Sequence, residues 1–318
     1  MSKKYEVPKV KLNNGLEMPA IGLGTYKSLE NDAYNAVKAA IDLGYRHIDT
    51  AFFYMNEEEV GKAIREKISE GIITRADIFV TTKLWPTFHE PESVVKACKR
   101  SLDNLGLEYI DLYLIHWPFA LKYYADDCYI PRDSAGNWET TDRDYCDVYK
   151  KLEECVKLGY VRSIGLSNFN SVQIQRVLDI ATIKPVVNQV ECSLQINQKP
   201  LVKFCKERGI VVTGYCPLAR PEPANKKPAF LFNDEVAAIG KKYGKSAAQV
   251  ALRYLVEIGV VPLPKSSNPK RIEENLNIFD FKLDEGDLKL LDKFHTGERT
   301  VWFTEAEKCV NYPFHQEF

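Results

Sequence analysis

Asp49, Tyr54, Lys83 and His116 have the side-chain types and spacing needed to deliver a proton to a carbonyl oxygen. Asp49 ends the short run Arg46-His47-Ile48, and Tyr54 follows five residues later, inside Gly44 to Tyr54. A free phenol titrates near about 10 and is a weak acid at neutral pH. A buried ammonium beside it stabilises the phenolate and lowers that value. Lys83 is therefore expected to activate Tyr54, with Asp49 keeping Lys83 protonated and His116 orienting the carbonyl. The set as a whole is a proton donor to a carbonyl undergoing reduction. No side chain supplies a hydride; a nicotinamide cofactor does.

One member alone would mean little. His116 closes Asp111-Leu112-Tyr113-Leu114-Ile115-His116-Trp117-Pro118, where a lone histidine is more often a hydrogen-bonded core residue. His47 is read as structural and is expected on the strand face opposite Asp49. No HExxH and no histidine pair at ligand spacing occurs, so no metal site is expected. No GxSxG supports a serine nucleophile.

The elements that must position these groups alternate between short apolar runs and helical periodicity. Asn13-Asn14-Gly15 marks an N-terminal β-hairpin. Strands are expected at Ala20–Leu23, Arg46–Ile48, Ile78–Thr82, Tyr109–Ile115, Val161–Leu166, Val186–Val190, Ile210–Gly214 and Val260–Leu263. Helices are expected between them, among them one capped by Asn56 whose Glu57-Glu58-Glu59 suits the positive end of the helix dipole. Eight strands, each followed by a helix, predict a (β/α)8 TIM barrel in a single domain, residues 1–318. Extra helices and two long irregular loops, Ala120 to Asp142 and Leu218 to Ala229, are expected at its C-terminal face. A doubly wound sheet is disfavoured, because Gly22-Leu23-Gly24 runs into Thr25-Tyr26-Lys27 without a third glycine.

In a barrel, chemistry is built at the C-terminal ends of the strands. Those ends carry Asp49, Lys83, His116, Ser167 with Asn168, Gln189, Tyr215 and Lys265. Pro264-Lys265-Ser266-Ser267-Asn268 leads into a helix, and helix N-termini bind phosphate. Arg271, one turn on, is placed to pair with a further phosphate on the ribose.

The bulk composition agrees with an enzyme of this kind. Hydrophobic residues at 45% and charged residues at 27% match an ordinary globular chain. A net charge of -1 lacks the basic face of a nucleic-acid binder. The eight cysteines form no CxxC and are expected to be reduced thiols packed as small hydrophobes. Met1 to Lys11 has no apolar core, so no signal peptide is expected. No apolar run approaches the roughly 18 residues of a membrane span, so a cytoplasmic location is expected.

Taken together the motifs resemble the aldo-keto reductase family over nearly the whole length. The likeness rests on Gly44 to Ala51 with Glu57 beyond it, Leu166-Ser167-Asn168-Phe169 and Pro264-Lys265-Ser266. The tail, Tyr312-Pro313-Phe314-His315-Gln316-Glu317-Phe318, is similar to aldose reductase-like members. The resemblance implies Tyr54 as general acid, tuned by Lys83 and Asp49, with His116 orienting the substrate. It implies Ser167, Asn168 and Gln189 at the nicotinamide carboxamide and Tyr215 stacked on its ring. Gly24, Thr25, Tyr26, Cys216, Pro217 and Leu218 would border the same cofactor. Lys265, Ser266, Ser267, Asn268, Arg271, Glu274 and Asn275 would hold the adenosine phosphate end, which implies NADPH over NADH. Cys216 departs from a common serine, Tyr26 from a common tryptophan, and Phe53 from a smaller residue. Tyr26, Phe53, Trp85, Trp117, Trp302 and Phe303 would line the substrate site with Tyr54 and His116. That apolar wall implies a small-molecule carbonyl bulkier than a free sugar, and the resemblance favours a monomer. Arthropod members reduce 3-dehydroecdysteroids, which gives one candidate substrate. The alternatives are an aldose-type sugar reductase and a non-enzymatic NADPH-binding regulatory or structural protein on the same barrel.

Overall fold

The protein is described by a computed structural model over residues 5–28 and 31–316. The start of the chain up to Lys4, and Glu317 and Phe318 of the tail motif, lie outside the described residues. An antiparallel hairpin, β1 (Lys9–Lys11) with β2 (Glu17–Pro19), comes first. Then β3 (Leu23–Gly24), β4 (His47–Asp49), β5 (Phe79–Leu84) and β6 (Leu112–Ile115) pair in parallel. A small antiparallel pair, β7 (Ala120–Leu121) with β8 (Thr140–Thr141), interrupts the series. The parallel sheet resumes with β9 (Ile164–Ser167), β10 (Val187–Glu191), β11 (Val211–Tyr215) and β12 (Val260–Pro262). It closes on itself, because Gly24 bridges Lys265 and the Gly22 and Gly24 amides donate to Pro262 and Pro264. The (β/α)8 barrel expected from the sequence is the fold found.

Helices α1 (Asn31–Leu43), α2 (Glu57–Ser69), α3 (Pro91–Leu105), α4 (Tyr145–Lys157), α5 (Ser171–Ile180) and α6 (Lys199–Glu207) link successive parallel strands. Both α7 (Asp234–Tyr243) and α8 (Ala247–Glu257) precede β12, and α9 (Pro269–Leu276) and α10 (Glu285–Asp292) follow it. Among the described residues no helix is long and apolar enough to cross a membrane.

Strand parity decides what reaches the site. Successive side chains on a strand point to opposite faces. On β6, Tyr113 and Ile115 join the core between sheet and helices, while Leu112 and Leu114 join a second core inside the barrel. The inner core also holds Phe79, Val187 and Val261, and Leu12 and Met18 of the hairpin close its lower end. Counting up in twos from these residues gives Lys83 on β5, His116 after β6, Gln189 on β10 and Lys265 after β12. The apolar layers below therefore aim the polar strand ends inward above them.

Several local expectations are corrected. The first barrel strand is β3 rather than Ala20–Leu23. The expected strand Tyr109–Ile115 is continuous only from Leu112, with Ile110 in an isolated bridge to Val161 and the Asp111 carboxylate accepting from Arg75 and the Val80 amide. The loop from Ala120 to Asp142 is tied down by β7 and β8. Asn56 sits at the start of α2 but does not cap it with its side chain. It instead bridges the loops, donating to the Thr25 and Ser28 carbonyls and accepting from Thr50 Oγ1. Glu57 is not simply an exposed acid at a helix dipole: it is buried, accepting from Thr82 at 2.6 Å and Asn104 at 3.0 Å. All eight cysteines are free thiols, and six are buried.

Gly61 lets α2 approach the end of α3. A Cβ there would lie 1.9 Å from the Leu105 carbonyl oxygen. Replacing a helix-interior glycine by alanine ordinarily gains roughly 0.5–1 kcal/mol. Here overpacking against backbone, about 1–3 kcal/mol, reverses the sign. Gly61→Ala should lower the urea midpoint; a raised or unchanged midpoint would contradict this packing.

Candidate active site

The Lys83 ammonium donates to Asp49 Oδ1 at 2.7 Å and to the Thr50 carbonyl at 2.8 Å, and it lies 3.5 Å from Tyr54 Oη. The lysine is fully buried. Asp49 Oδ2 accepts from Gln189 Nε2 at 2.7 Å, so both carboxylate oxygens are engaged. The Asp49 backbone is held in turn by Thr25, whose amide and hydroxyl both donate to its carbonyl at 3.1 Å. Tyr54 arrives on a one-turn 3-10 helix, Phe52–Tyr54, that stops at Met55 with a φ of 55°. Its ring lies 5.8 Å from His116 edge-on and 5.0 Å from Tyr26. Tyr54, Lys83, Asp49 and His116, separate in sequence, thus meet at one end of the barrel.

The electrostatics correct one expectation. Tyr54 is not drawn down by Lys83. Burial pushes its phenol well above 10, and the charge of Asp49 adds to the rise. Burial and the Asp49 charge outweigh the pull of the Lys83 ammonium, which lies 2.7 Å from Asp49 Oδ1 and 3.5 Å from Tyr54 Oη. Burial lowers Lys83 from its ordinary value, against the opposing pull of Asp49 and the more distant Glu57. Burial, helped by the Lys83 charge, also drives His116 well below 6.5, so its imidazole is neutral at pH 7. Its Nδ1 is buried without a partner among the described residues. The arrangement holds a protonated phenol and a neutral imidazole beside a screened cation, which suits proton donation to a basic oxygen.

His47 does not face away from Asp49. Two residues apart on one strand, they share a face, and Asp49 and Lys83 both act on the His47 ring. It lies buried, 3.1 Å from Thr81 Oγ1, with burial pushing its pKa down to about 4. Its part remains structural.

Beside this group, Asn168 adopts a φ of 63°. Its Nδ2 donates to the His116 carbonyl and its Oδ1 accepts from the Tyr215 hydroxyl. Ser167 Oγ donates to the Gln189 carbonyl. Gln189 gives its amide N–H to Asp49, and its Oε1, an acceptor, has no partner among the described residues. An unpartnered acceptor of this kind fits a carboxamide N–H.

On the same rim, Lys265 and Arg271 flank the start of α9, exposed and in no ion pair among the described residues. Two unpaired cations suit an anion. Asn268, expected among the phosphate ligands, also caps α9, its Oδ1 accepting from the Lys270 and Arg271 amides. The free donors near Arg271 are therefore side chains more than the helix end itself. Ser266 and Asn275 are buried, and Glu274 is partly so. The turn after β11 has positive φ at Cys216, Ala219 and Arg220, with Pro217 and Leu218 between them.

The expected aromatic wall is present in part. Phe53 stacks on Trp85 at 3.8 Å, and Trp85 meets His116 edge-on at 5.3 Å. Phe303 lies 6.4 Å from Trp85 and 5.0 Å from Trp117. It also lies 5.2 Å from Trp138, a residue the sequence reading passed over inside a long loop. Trp302 stands apart: it is exposed and packs edge-on against Phe314.

Comparison with known proteins gives the same chemistry. The family model described as "Aldo/keto reductase family" matches residues 20–296. Aldo-keto reductase family 1 member A1-A of Danio rerio is 46% identical over 92% of this chain and 91% of its own length. Prostaglandin F synthase 1 of Bos taurus is 43% identical over 98% of each chain. The aldose reductase of Schistosoma japonicum superposes with a TM-score of 0.92 at 40% identity, covering 98% of this chain and all of that one. An aldo-keto reductase of Bombyx mori, solved in complex with NADP, does so with a TM-score of 0.86 at 38% identity, over 97% and 99% of the two chains. With a barrel of this topology and a buried lysine, acid and histidine beside a half-buried phenol at its rim, the chain belongs to the aldo/keto reductase family.

Proposed function

We propose that the protein reduces aldehydes or ketones to alcohols with NADPH, taking the proton from Tyr54. The observation that carries this is the Lys83 ammonium, held between Asp49 and the Thr50 carbonyl within 3.5 Å of the Tyr54 hydroxyl. The cofactor, when bound, supplies the hydride. Gln189 Oε1 and Ser167 would receive its carboxamide, Tyr215 would lie against its ring, and Lys265, Ser266 and Arg271 would hold its phosphates.

The chain's own groups do the rest. His116, neutral because it is buried, donates a hydrogen bond to the carbonyl oxygen and fixes its direction without giving up a full proton. Tyr54 releases its proton only as the oxygen becomes strongly basic, since burial keeps the phenol protonated across the neutral range. The Lys83 charge then meets the nascent phenolate, which it stabilises far better than it stabilised the neutral phenol. Such differential stabilisation lowers the barrier rather than tightening ground-state binding. Phe53, Trp85, Trp117, Phe303 and Trp138 exclude water and favour a carbonyl on a large apolar body. A 3-dehydroecdysteroid is the candidate substrate that fits this wall.

NADPH oxidation with a panel of ketosteroids, apolar aldehydes and sugars tests the reading. Tyr54→Phe should lower kcat by about 100-fold or more, the usual worth of a general acid, with NADPH affinity unchanged. Turnover close to the parent's would remove Tyr54 from its role, and tight NADPH binding with no turnover on any carbonyl would favour a non-enzymatic protein.

Arg271→Ala should raise the Kd for NADPH about tenfold or more, as expected for one charged hydrogen bond. The Kd for NADH should stay put, and fluorescence titration reads both. An equal effect on the two would leave Arg271 without a role at the 2′-phosphate.

The pH dependence assigns the alkaline limb. The Lys83 ammonium is lost as pH rises through a value below 10.5, whereas the Tyr54 phenol stays protonated beyond 10. A profile of kcat/KM should thus fall on the alkaline side at Lys83's titration, before the phenol ionises. His116, already neutral, should add no limb between pH 6.5 and 8; one found there would contradict its buried state.

A further inference from the structure

Glu191, the last residue of β10, is a fully buried carboxylate outside the proton-donating group. Its Cα is in register with that of Tyr215. Strand parity puts it on the same inward face as Val187 and Gln189, one step higher. All its side-chain hydrogen bonds come from two successive residues of the C-terminal segment. Oε1 accepts from the Thr300 amide at 2.7 Å and the Thr300 hydroxyl at 2.6 Å, and Oε2 accepts from the Val301 amide at 3.0 Å. Below this grip, the Thr296 and Gly297 amides donate to the Gln195 carbonyl at 2.9 Å. The root of the C-terminal segment is thus hung on the connection that follows β10. Two residues beyond the grip, Phe303 takes a φ of 48° and enters the cluster of Trp85, Trp117 and Trp138. A left-handed φ is costly for a side chain of this size, so the backbone leading into it must be fixed from outside. Glu191 fixes it at Thr300 and Val301, and Tyr312 Oη, donating to the Trp302 carbonyl at 2.6 Å, fixes it one residue further on.

We propose that Glu191 is a positioning residue for substrate selection. By gripping Thr300 and Val301 it aims Phe303 and so completes the apolar wall that large carbonyl substrates need. This rests on the carbonyl-reductase reading above. A small aldehyde, which reaches the Tyr54 hydroxyl without touching Phe303, does not depend on the grip. Glu191→Gln replaces one accepting oxygen by an N–H donor, which then faces a backbone amide. Thr300→Ala removes only the hydroxyl bond and keeps the chain's charge.

Kinetics with NADPH on a ketosteroid and on propanal separate the possibilities. In Glu191→Gln the KM for the ketosteroid should rise about tenfold or more. The values of kcat and KM for propanal, and the Kd for NADPH, should stay within about twofold. Thr300→Ala should shift the same parameters in the same direction by less, and it serves alone where Glu191→Gln does not fold. Limited trypsin digestion reads the grip without any substrate. Cleavage at Arg299 and Lys308 should accelerate in both variants at an unchanged melting temperature. An equal rise in KM for both carbonyls, or digestion at the parent's rate, overturns the proposal. Where the parent turns over no carbonyl at all, the catalytic reading fails and the digestion still decides the grip.

Discussion

The ion pair between Lys83 and Asp49 is the constraint around which the upper end of the barrel is organised. Taking two charges out of water costs several kcal/mol per ion, on the order of what their attraction returns. The pair persists here because every remaining demand is met nearby. The ammonium has the Thr50 carbonyl, and the carboxylate has Gln189 Nε2. Removing one partner alone would leave an uncompensated buried charge, at a cost of roughly 3–5 kcal/mol. Replacing both by apolar residues would cost little or nothing in stability. The pair is thus a poor explanation of why the barrel folds and a good one of what its rim is for. A cation held rigidly beside a phenol has no use until that phenol loses its proton.

What lets the strands hold such a pair is the layer beneath it. Phe79, Leu112, Leu114, Val187 and Val261 fill the barrel and leave water no route from below, with the β1–β2 hairpin closing the end. Side chains two residues further along the same strands must then point inward above them. Low dielectric from that core raises the phenol and lowers the lysine and the histidine together. One packing decision therefore shifts three titrations: it favours the protonated phenol and the neutral imidazole that a proton donor to a carbonyl requires, while it works against the Lys83 ammonium, which Asp49 upholds.

Much of this was legible in the sequence, for a physical reason. Strand ends are marked by an abrupt change from apolar to polar residues, and a two-residue period carries the facing of each side chain. Asp49, Lys83, His116, Ser167, Asn168 and Gln189 all carry that signal, and the helix after Asn268 is announced by the polar run before it. The same period, applied with care, would also have placed His47 on the face of Asp49. Other features had no local signal. The upward shift of Tyr54 comes first from burial and then from the Asp49 charge, both set by how the loop after β4 packs back over the rim. Asn56 has the identity of a cap, yet the Thr25 and Ser28 carbonyls compete for its amide. Trp138 looked like one more aromatic in a long loop until β7 and β8 folded that loop back over the site. Glu191 follows Gln189 and Val190 in an apolar strand, and only the return of the chain at Thr300 explains a buried carboxylate there.

The site thus divides by the kind of element that builds it. The proton-donating group lies on strand ends and one short turn, braced by hydrogen bonds between neighbouring strands. The wall that meets the rest of the substrate comes largely from the loop after β6 and from the C-terminal segment. Strand-borne groups are held by many contacts at once, whereas a loop residue such as Phe303 depends on a few grips along its own backbone. Changes in the loops can therefore alter which carbonyl is admitted while the distance from Lys83 to Tyr54 stays the same. A barrel rim built this way keeps its chemistry constant and leaves selectivity free to vary, because the wall hangs on a few backbone grips, those of Glu191 and Tyr312 among them.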